Sequence, residues 1–308
     1  MKLKKPKFWD YNKPNIISNI LFPLSIVYQF LSCLKIKKVR KFEDIKCICV
    51  GNIYLGGTGK TSLSIELKKI LDNENIKSCF IKKYYPNQID EQELLKKHGK
   101  TFINKNRINA IKEATSENYE VAICDDGLQD KSIFFDLTFV CFNQKNMIGN
   151  GRLIPAGPLR ENLSCLNKNK NVFLIGNSEN NQNLKDFLQS KVSDLNFYDG
   201  IYEPLNLDKI SKDKNYIAFS GIGNHETFIE MLKKNKLRIL KDLEFPDHYK
   251  YSIKDIEKIN LIAKRFDSKI ITTKKDYQRI SDKYRGDIQI VDISLKIKQI
   301  SKLKDLIL

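Results

Sequence analysis

One stretch, Gly51-Asn52-Ile53-Tyr54-Leu55-Gly56-Gly57-Thr58-Gly59-Lys60-Thr61, constrains this chain more than any other. The apolar run 45–50 leads into it and a helical pattern over 62–71 leads out. A strand, a glycine-rich turn and a helix opened by Lys-Thr form the layout of a phosphate-binding loop. In such a loop the backbone N–H groups of Gly56, Gly57, Thr58, Gly59, Lys60, Thr61 and Ser62 turn inward onto phosphate oxygens, helped by the positive end of the helix. Lys60 is expected to reach the β- and γ-phosphates, and the Thr61 hydroxyl to hold Mg²⁺. Tyr54 stands where the general pattern has glycine.

The chain has 308 residues, enough for two domains and a sizeable core. A hydrophobic fraction of 41% with 30% charged residues reads as globular rather than disordered. The net charge of +17 implies anionic partners: nucleic acid, an anionic membrane surface or a phosphorylated substrate. A lysine- and asparagine-rich proteome would also account for it. Seven cysteines are scattered with no CxxC pair, several inside apolar runs, so they read as small buried hydrophobes in a reducing cytosol and not as a zinc site.

The first 34 residues are basic at the start, carry Phe8-Trp9, and continue into an apolar run that the basic cluster 35–41 follows. No small-residue cleavage site follows, which argues against a signal peptide. The length permits a membrane span, but Asn19, Ser25, Gln29, Ser32 and Pro23 interrupt it. A plain core helix is also open. An amphipathic helix lying in the membrane interface, flanked by Trp9 and lysines, fits best.

Downstream, strand patterns alternate with helical ones, which predicts an α/β protein with largely parallel sheets. The second strand, 77–82, hands over through a turn to a helix beginning near Asp90 and Glu91. That place suits a ligand-facing carboxylate, although an acidic helix start is favoured by the dipole alone. The run 119–124 ends in Asp125-Asp126-Gly127, the Walker-B arrangement whose carboxylate orients Mg²⁺. The segment 149–161 has neither helical nor strand period, is dense in Gly and Pro, and carries Arg152, Arg160 and Glu161, a composition typical of functional loops. Either arginine could grip a phosphate bidentately. A domain boundary is placed near 195–215. Of the three histidines, His248, after Asp247 in an aromatic turn, is the best suited to acid–base work.

Taken in order, GNIYLGGTGKT, CDDGLQD, GNGRLIPAGPLRE, FSGIGN, FPDHYKYS and TTKKD resemble the tetraacyldisaccharide 4'-kinase family, the lipid A 4'-kinases of Gram-negative bacteria, over nearly the whole chain. The tyrosine in the glycine loop is normal in that family. The resemblance implies transfer of the ATP γ-phosphate to the 4'-hydroxyl of a tetraacyldisaccharide 1-phosphate, giving lipid IVA. It implies a P-loop NTPase-type α/β domain over 35–200, with 295–308 returning to it, a smaller α/β domain over 210–294, and a membrane-interface segment over 1–34. It places the protein, as a monomer without nucleic acid, at the cytoplasmic face of the bacterial inner membrane, acting on an anionic glycolipid with ATP and Mg²⁺.

Residue by residue, the resemblance implies Lys60, Asp90 and His248 as catalytic groups, with the histidine paired to the aspartate. Thr61, Glu91, Asp125 and Asp126 fall to the metal, and Asn150, Arg152, Arg160 and Glu161 to the substrate. Three departures stand out. The family's Ser-Arg-Gly-Tyr-like stretch reads Lys82-Lys83-Tyr84-Tyr85, its Gly-Asp-Glu-Pro reads Ile89-Asp90-Glu91-Gln92, and its Asp-Gly-Leu-Gln-His ends in Asp130. Two other classes compete. Thr273-Lys274-Lys275-Asp276 fits a guanine-reading pattern and would make the chain a GTP-binding regulatory or assembly protein. The positive charge alone would allow a nucleic-acid-dependent ATPase.

Overall fold

The computed structural model describes residues 5–34, 38–86, 88–176, 181–223, 225–247 and 249–308. In chain order, the first elements are α1 (Ile16–Leu34), β1 (Lys46–Gly51), α2 (Lys60–Asn73), β2 (Ser78–Lys83), α3 (Ile89–His98), β3 (Thr101–Asn104), α4 (Arg107–Ser116), β4 (Val121–Asp125) and β5 (Leu137–Asn143). Then follow β6 (Asn171–Ile175), α5 (Asn181–Lys191), β7 (Asn196–Pro204), β8 (Asn215–Ser220), α6 (His225–Lys234), β9 (Arg238–Glu244) and α7 (Ile253–Arg265). The chain closes with β10 (Lys269–Thr273), α8 (Lys274–Gln278), β11 (Ile288–Val291), β12 (Ile293–Ile297) and α9 (Ile300–Ile307).

Two compact units result, one of residues 1–201 with 297–308 and one of residues 202–296. The larger sheet has the order β12-β7-β6-β5-β1-β4-β2-β3. From β3 across to β7 its neighbours pair in parallel. Strands β1, β4 and β5 are mainly apolar and are buried at every position but the first of β1, as a parallel sheet covered by helices requires. One core cluster joins Ile53, Tyr54, Val140, Phe142 and Leu174 to Leu184 and Leu188 of α5. A second joins Cys47, Cys79 and Cys124 to Ala110 and Ile111 of α4. The buried cysteines thus pack as small hydrophobes, and burial lifts the Cys47 and Cys79 thiols to about 12.

The smaller unit carries the parallel sheet β11-β10-β8-β9. Helix α7 opens on a capping box, with Ser252 and Asp255 bonded reciprocally. The polar stretch after β6 holds helix α5, whose Leu184 and Leu188, one turn apart, are buried. Residues 293–297 form the separate strand β12.

Helix α1 inverts the usual amphipathic arrangement. Its buried side is polar: Ser18 Oγ donates to the Ala156 carbonyl at 2.7 Å and Ser25 Oγ to the Leu153 carbonyl at 2.8 Å. Its outer side is apolar, with Ile16 78%, Ile20 71% and Phe30 63% exposed. No helix among the described residues is long and apolar enough to cross a membrane.

Candidate active site

The loops after β1, β2 and β4 meet at the carboxyl edge of the larger sheet, where open α/β sheets bind ligands. The glycine loop leaves β1 and closes on itself through Asn52, whose Nδ2 donates to the Tyr54 carbonyl at 2.5 Å and to Thr58 Oγ1 at 2.8 Å. Gly59 takes a left-handed conformation, φ 76°, immediately before α2, a place that disfavours any residue with a Cβ. Lys60 and Thr61 therefore begin α2 at the mouth of the loop. At Gly51 a Cβ would lie 2.4 Å from Leu128 Cβ, so only glycine lets the β4–β5 connection approach.

That connection supplies the acids. Asp125 ends β4, and Asp126 follows in a left-handed conformation, φ 54°, which Asp tolerates better than most residues. Lys60 Nζ lies 3.7 Å from Asp126 Oδ1. Arg160 binds both oxygens of Asp126, at 3.0 and 3.4 Å, together with Gln129 Oε1 at 2.9 Å and Asn52 Oδ1 at 2.5 Å. Burial pushes the Asp126 carboxyl up, but the positive charges of Lys60, Arg160 and Lys82 outweigh it and hold it far below the usual carboxylate range. Asp126 is an anion at any physiological pH.

A second cluster adjoins the first. Lys82 Nζ, 1% exposed, bridges Asp125 Oδ2 and Glu91 Oε2 at 2.6 Å each. Burial favours the neutral amine there, and the two carboxylates reverse that and raise the lysine well above its ordinary value. Asp90 sits beside Glu91 in the first turn of α3. Three cations, Lys60, Lys82 and Arg160, thus face three carboxylates, Glu91, Asp125 and Asp126. Arg160 Nε and Glu161 Oε1 are buried without a hydrogen-bond partner, and burial raises the Glu161 carboxyl against the pull of Lys131, Gln129 and Arg160. Unpartnered polar atoms at a loop edge are points where a polar ligand bonds. Among the described residues no group of three His, Cys, Asp or Glu is gathered as a metal cage.

The sequence matches the tetraacyldisaccharide-1-P 4'-kinase family over residues 17–308. The chain belongs to this family. It is 54% identical to the tetraacyldisaccharide 4'-kinase of Pelagibacter ubique, over 96% of this chain and 95% of that one. It is 38% identical to the enzyme of that name from Rickettsia bellii, over 96% and 95% of the two chains. Its fold is similar to the crystal structure of Aquifex aeolicus LpxK in complex with ATP, with a TM-score of 0.66 at 24% identity, covering 95% of this chain and 98% of that one.

Within this family member, the residues singled out from sequence fall into three groups. Lys60, Thr61, Asp125, Asp126 and Arg160 converge around the glycine loop. Glu91, expected on the metal, pairs with Lys82 Nζ at 2.6 Å. Asn150 and Arg152, expected at the substrate, bind the N-terminal segment: Asn150 is buried, with Nδ2 donating to the Ala156 carbonyl at 2.9 Å and to Ser18 Oγ at 3.2 Å. Arg152 donates to the Ser18 carbonyl at 2.9 Å and stacks on Phe22, 4.5 Å from the ring centre. Their bonding is a brace between α1 and the loop. His248 lies outside the described residues.

Four contributors went unpredicted. Lys82, Asn52 and Gln129 act at the site directly. Arg107 steadies it from behind, donating to the carbonyls of Asp125 and Asp126 at 3.3 and 2.5 Å and to Asp130 Oδ2 at 3.3 Å. Asp130, where the family pattern has histidine, is thereby a structural acid held by Arg107 and Ser132. A lysine closing an apolar strand was the one visible signal for Lys82.

Proposed function

We propose that this chain transfers the γ-phosphate of ATP to the 4'-hydroxyl of a tetraacylated disaccharide 1-phosphate lying at a membrane surface. The observation that carries the proposal is the ring of three cations and three carboxylates at the start of α2, in a member of the tetraacyldisaccharide-1-P 4'-kinase family. Phosphoryl transfer passes through a loose transition state whose charge sits on the transferred oxygens, so fixed cations and positioning account for most of the acceleration. Lys60 and Arg160 are those cations. Both rest on Asp126 until a phosphate offers stronger anionic partners.

The donor set suits Mg²⁺, because hydroxyl and carboxylate oxygens are what a hard cation takes, one or two from protein and the rest from phosphates and water. When bound, Mg²⁺ would be held by the Thr61 hydroxyl and the Walker-B carboxylate, and it supplies positive charge to the phosphate oxygens. Asp90 is proposed to accept the 4'-hydroxyl proton, and His248 to share it. Asp90→Ala and His248→Ala are each expected to lower turnover by about 10²-fold or more while ATP affinity stays near that of the parent. Near-parental turnover in either variant removes that residue from the mechanism.

The guanine-reading alternative is disfavoured by Asp276. Its carboxylate is buried and accepts from Gly221 N, Tyr251 OH and Thr273 Oγ1 at 2.9, 2.9 and 2.7 Å. Thr273 and Asp276 cap α8, and both carboxylate oxygens are buried in these bonds rather than presented to a base. Competition between GTP and ATP at equal concentration checks this: displacement of ATP would revive the alternative.

The membrane surface enters through α1. Serines inside and isoleucines outside suit a helix lying flat in the headgroup region with the chain's positive charge beside it, and we place the protein at the cytoplasmic face of the inner membrane on that ground. The double substitution Ile20→Glu with Phe30→Glu is expected to reduce partitioning onto anionic vesicles by about 10²-fold or more, given roughly 1.5–3 kcal/mol per large apolar side chain lost from the interface. The apparent KM for the lipid rises and that for ATP does not. Unchanged partitioning would sink the interfacial assignment. The function itself is tested by transfer of label from γ-labelled ATP to a disaccharide 1-phosphate lipid in detergent micelles.

A further inference from the structure

Lys82 has no place in the phosphate loop or in the Walker-B pattern, yet it is the most enclosed cation of the site. Strands β2 and β4 pair in register with Lys82 opposite Asp125, so both side chains leave the sheet on one face. Its ammonium touches Asp125 Oδ2 and Glu91 Oε2 at 2.6 Å each. The other oxygen of Asp125 accepts from Ser64 Oγ at 3.2 Å. Two carboxylates from different elements, brought face to face at an edge where phosphates bind, form the oxygen-rich setting that a hard divalent cation selects. Here an ammonium fills it.

We propose that Lys82 is a positioning residue, a permanent cation standing where a divalent ion would otherwise bridge Asp125 and Glu91, so that the metal carried by the nucleotide is gathered by Thr61 and Asp126. The ammonium satisfies both carboxylates with three donors and one positive charge. It fixes the start of α3, which carries Asp90, to the end of β4 whether or not metal is present. Burial from solvent makes the arrangement unconditional: removing the lysine takes the bridging positive charge from two facing carboxylates, and a metal ion is a substitute of the same sign. The second half of the proposal rests on the reading of Thr61 and Asp126 as metal-facing. The first half does not.

The test uses the full chain without nucleotide, with Mn²⁺ as a paramagnetic probe. Wild type is expected to leave the Mn²⁺ resonance unbound at micromolar ion, whereas Lys82→Met binds one ion at least about 10-fold more tightly. Lys82→Met melts lower in EDTA and recovers with Mn²⁺, and Lys82→Arg behaves as wild type in both measurements. Because these are made without ATP, their failure leaves the kinase reading intact. A folded Lys82→Met that binds no more Mn²⁺ than wild type overturns the proposal, as does tight Mn²⁺ binding by wild type that Glu91→Gln abolishes. A second measurement serves if Lys82→Met does not fold. For the Mn²⁺–ATP complex, Glu91→Gln is expected to change affinity by less than about twofold and Asp126→Asn to weaken it about 10-fold, and the opposite ranking is decisive against it.

Discussion

Replacing Lys60 by alanine is expected to lower phosphoryl transfer by about 10³-fold or more, the scale on which a cation at the transferred phosphate acts. The loss should fall mainly on kcat, because the charge that Lys60 meets is greatest in the transition state. The fold should survive. Asp126 keeps its two contacts to Arg160 when Lys60, 3.7 Å away, is removed. A melting temperature within a few degrees of wild type, together with transfer of label measured as kcat, checks both halves. Transfer above about a tenth of wild type would remove Lys60 from the phosphates and with it the central element of the proposed mechanism. Lys60→Arg is not a conservative control here, since a planar guanidinium cannot take the place of a compact ammonium at the loop.

The second large effect concerns stability and the tyrosine that breaks the general loop pattern. Tyr54 is fully buried in the cluster that holds Ile53, Val140, Phe142 and Leu159. Its hydroxyl donates to Asp10 Oδ1 at 2.5 Å and accepts from Lys5 Nζ at 2.9 Å. Burial, and then Asp10, raise the phenol far above its ordinary value, so it stays neutral and a donor. Tyr54→Ala empties an aromatic site in the core and is expected to cost about 3–5 kcal/mol, the range for large aromatic truncations. For a unit of this size that lowers the melting temperature by roughly 6–20 °C. Tyr54→Phe keeps the ring and loses two hydrogen bonds, those to Asp10 and from Lys5, roughly 1–3 kcal/mol together. Thermal melting of the pair separates packing from bonding: equal losses would show that the Asp10–Lys5 pair, and not the ring, secures the loop.

Tyr54 also explains how the loop is tied to its surroundings. Leu55 N donates to the Pro158 carbonyl at 2.8 Å and Arg160 N to the Ile53 carbonyl at 2.6 Å. Through Ser18, Ser25 and Asn150 the same Gly-Pro loop is bonded to α1. A continuous set of hydrogen bonds therefore runs from the apolar helix to the arginine on Asp126. The loop 149–161 is thus a joint between α1 and the glycine loop, with Arg160 on Asp126 at its far end.

Much of this was legible before the fold was known. The glycine loop is a local device: the turn needs Gly59 at a positive φ, the helix start presents Lys60 and Thr61, and adjacency in sequence guarantees adjacency in space. The strand ending in Asp125-Asp126 is equally local, and periodicity marks nearly every strand and helix. Where the same logic was applied to longer-range matters it had no purchase. Thr273-Lys274-Lys275-Asp276 reads as a base-recognition motif, but the four-residue pattern is also that of a capped helix, and only burial of Asp276 distinguishes the two. Helix α5 is faint in sequence because its exposed positions are polar and only Leu184 and Leu188 mark its buried side.

The sequence by itself determined the parts whose chemistry is complete within a dozen residues: the phosphate loop, the acidic strand end, the alternation of strands and helices. The tertiary structure decided which charges compensate which. Lys82 meets Asp125 only because β2 and β4 pair in that register. Arg160 reaches Asp126 only because its loop is pinned between α1 and β1. Register and long-range bonding depend on how separate segments close around a shared core, and no spacing along the chain encodes the distance between them.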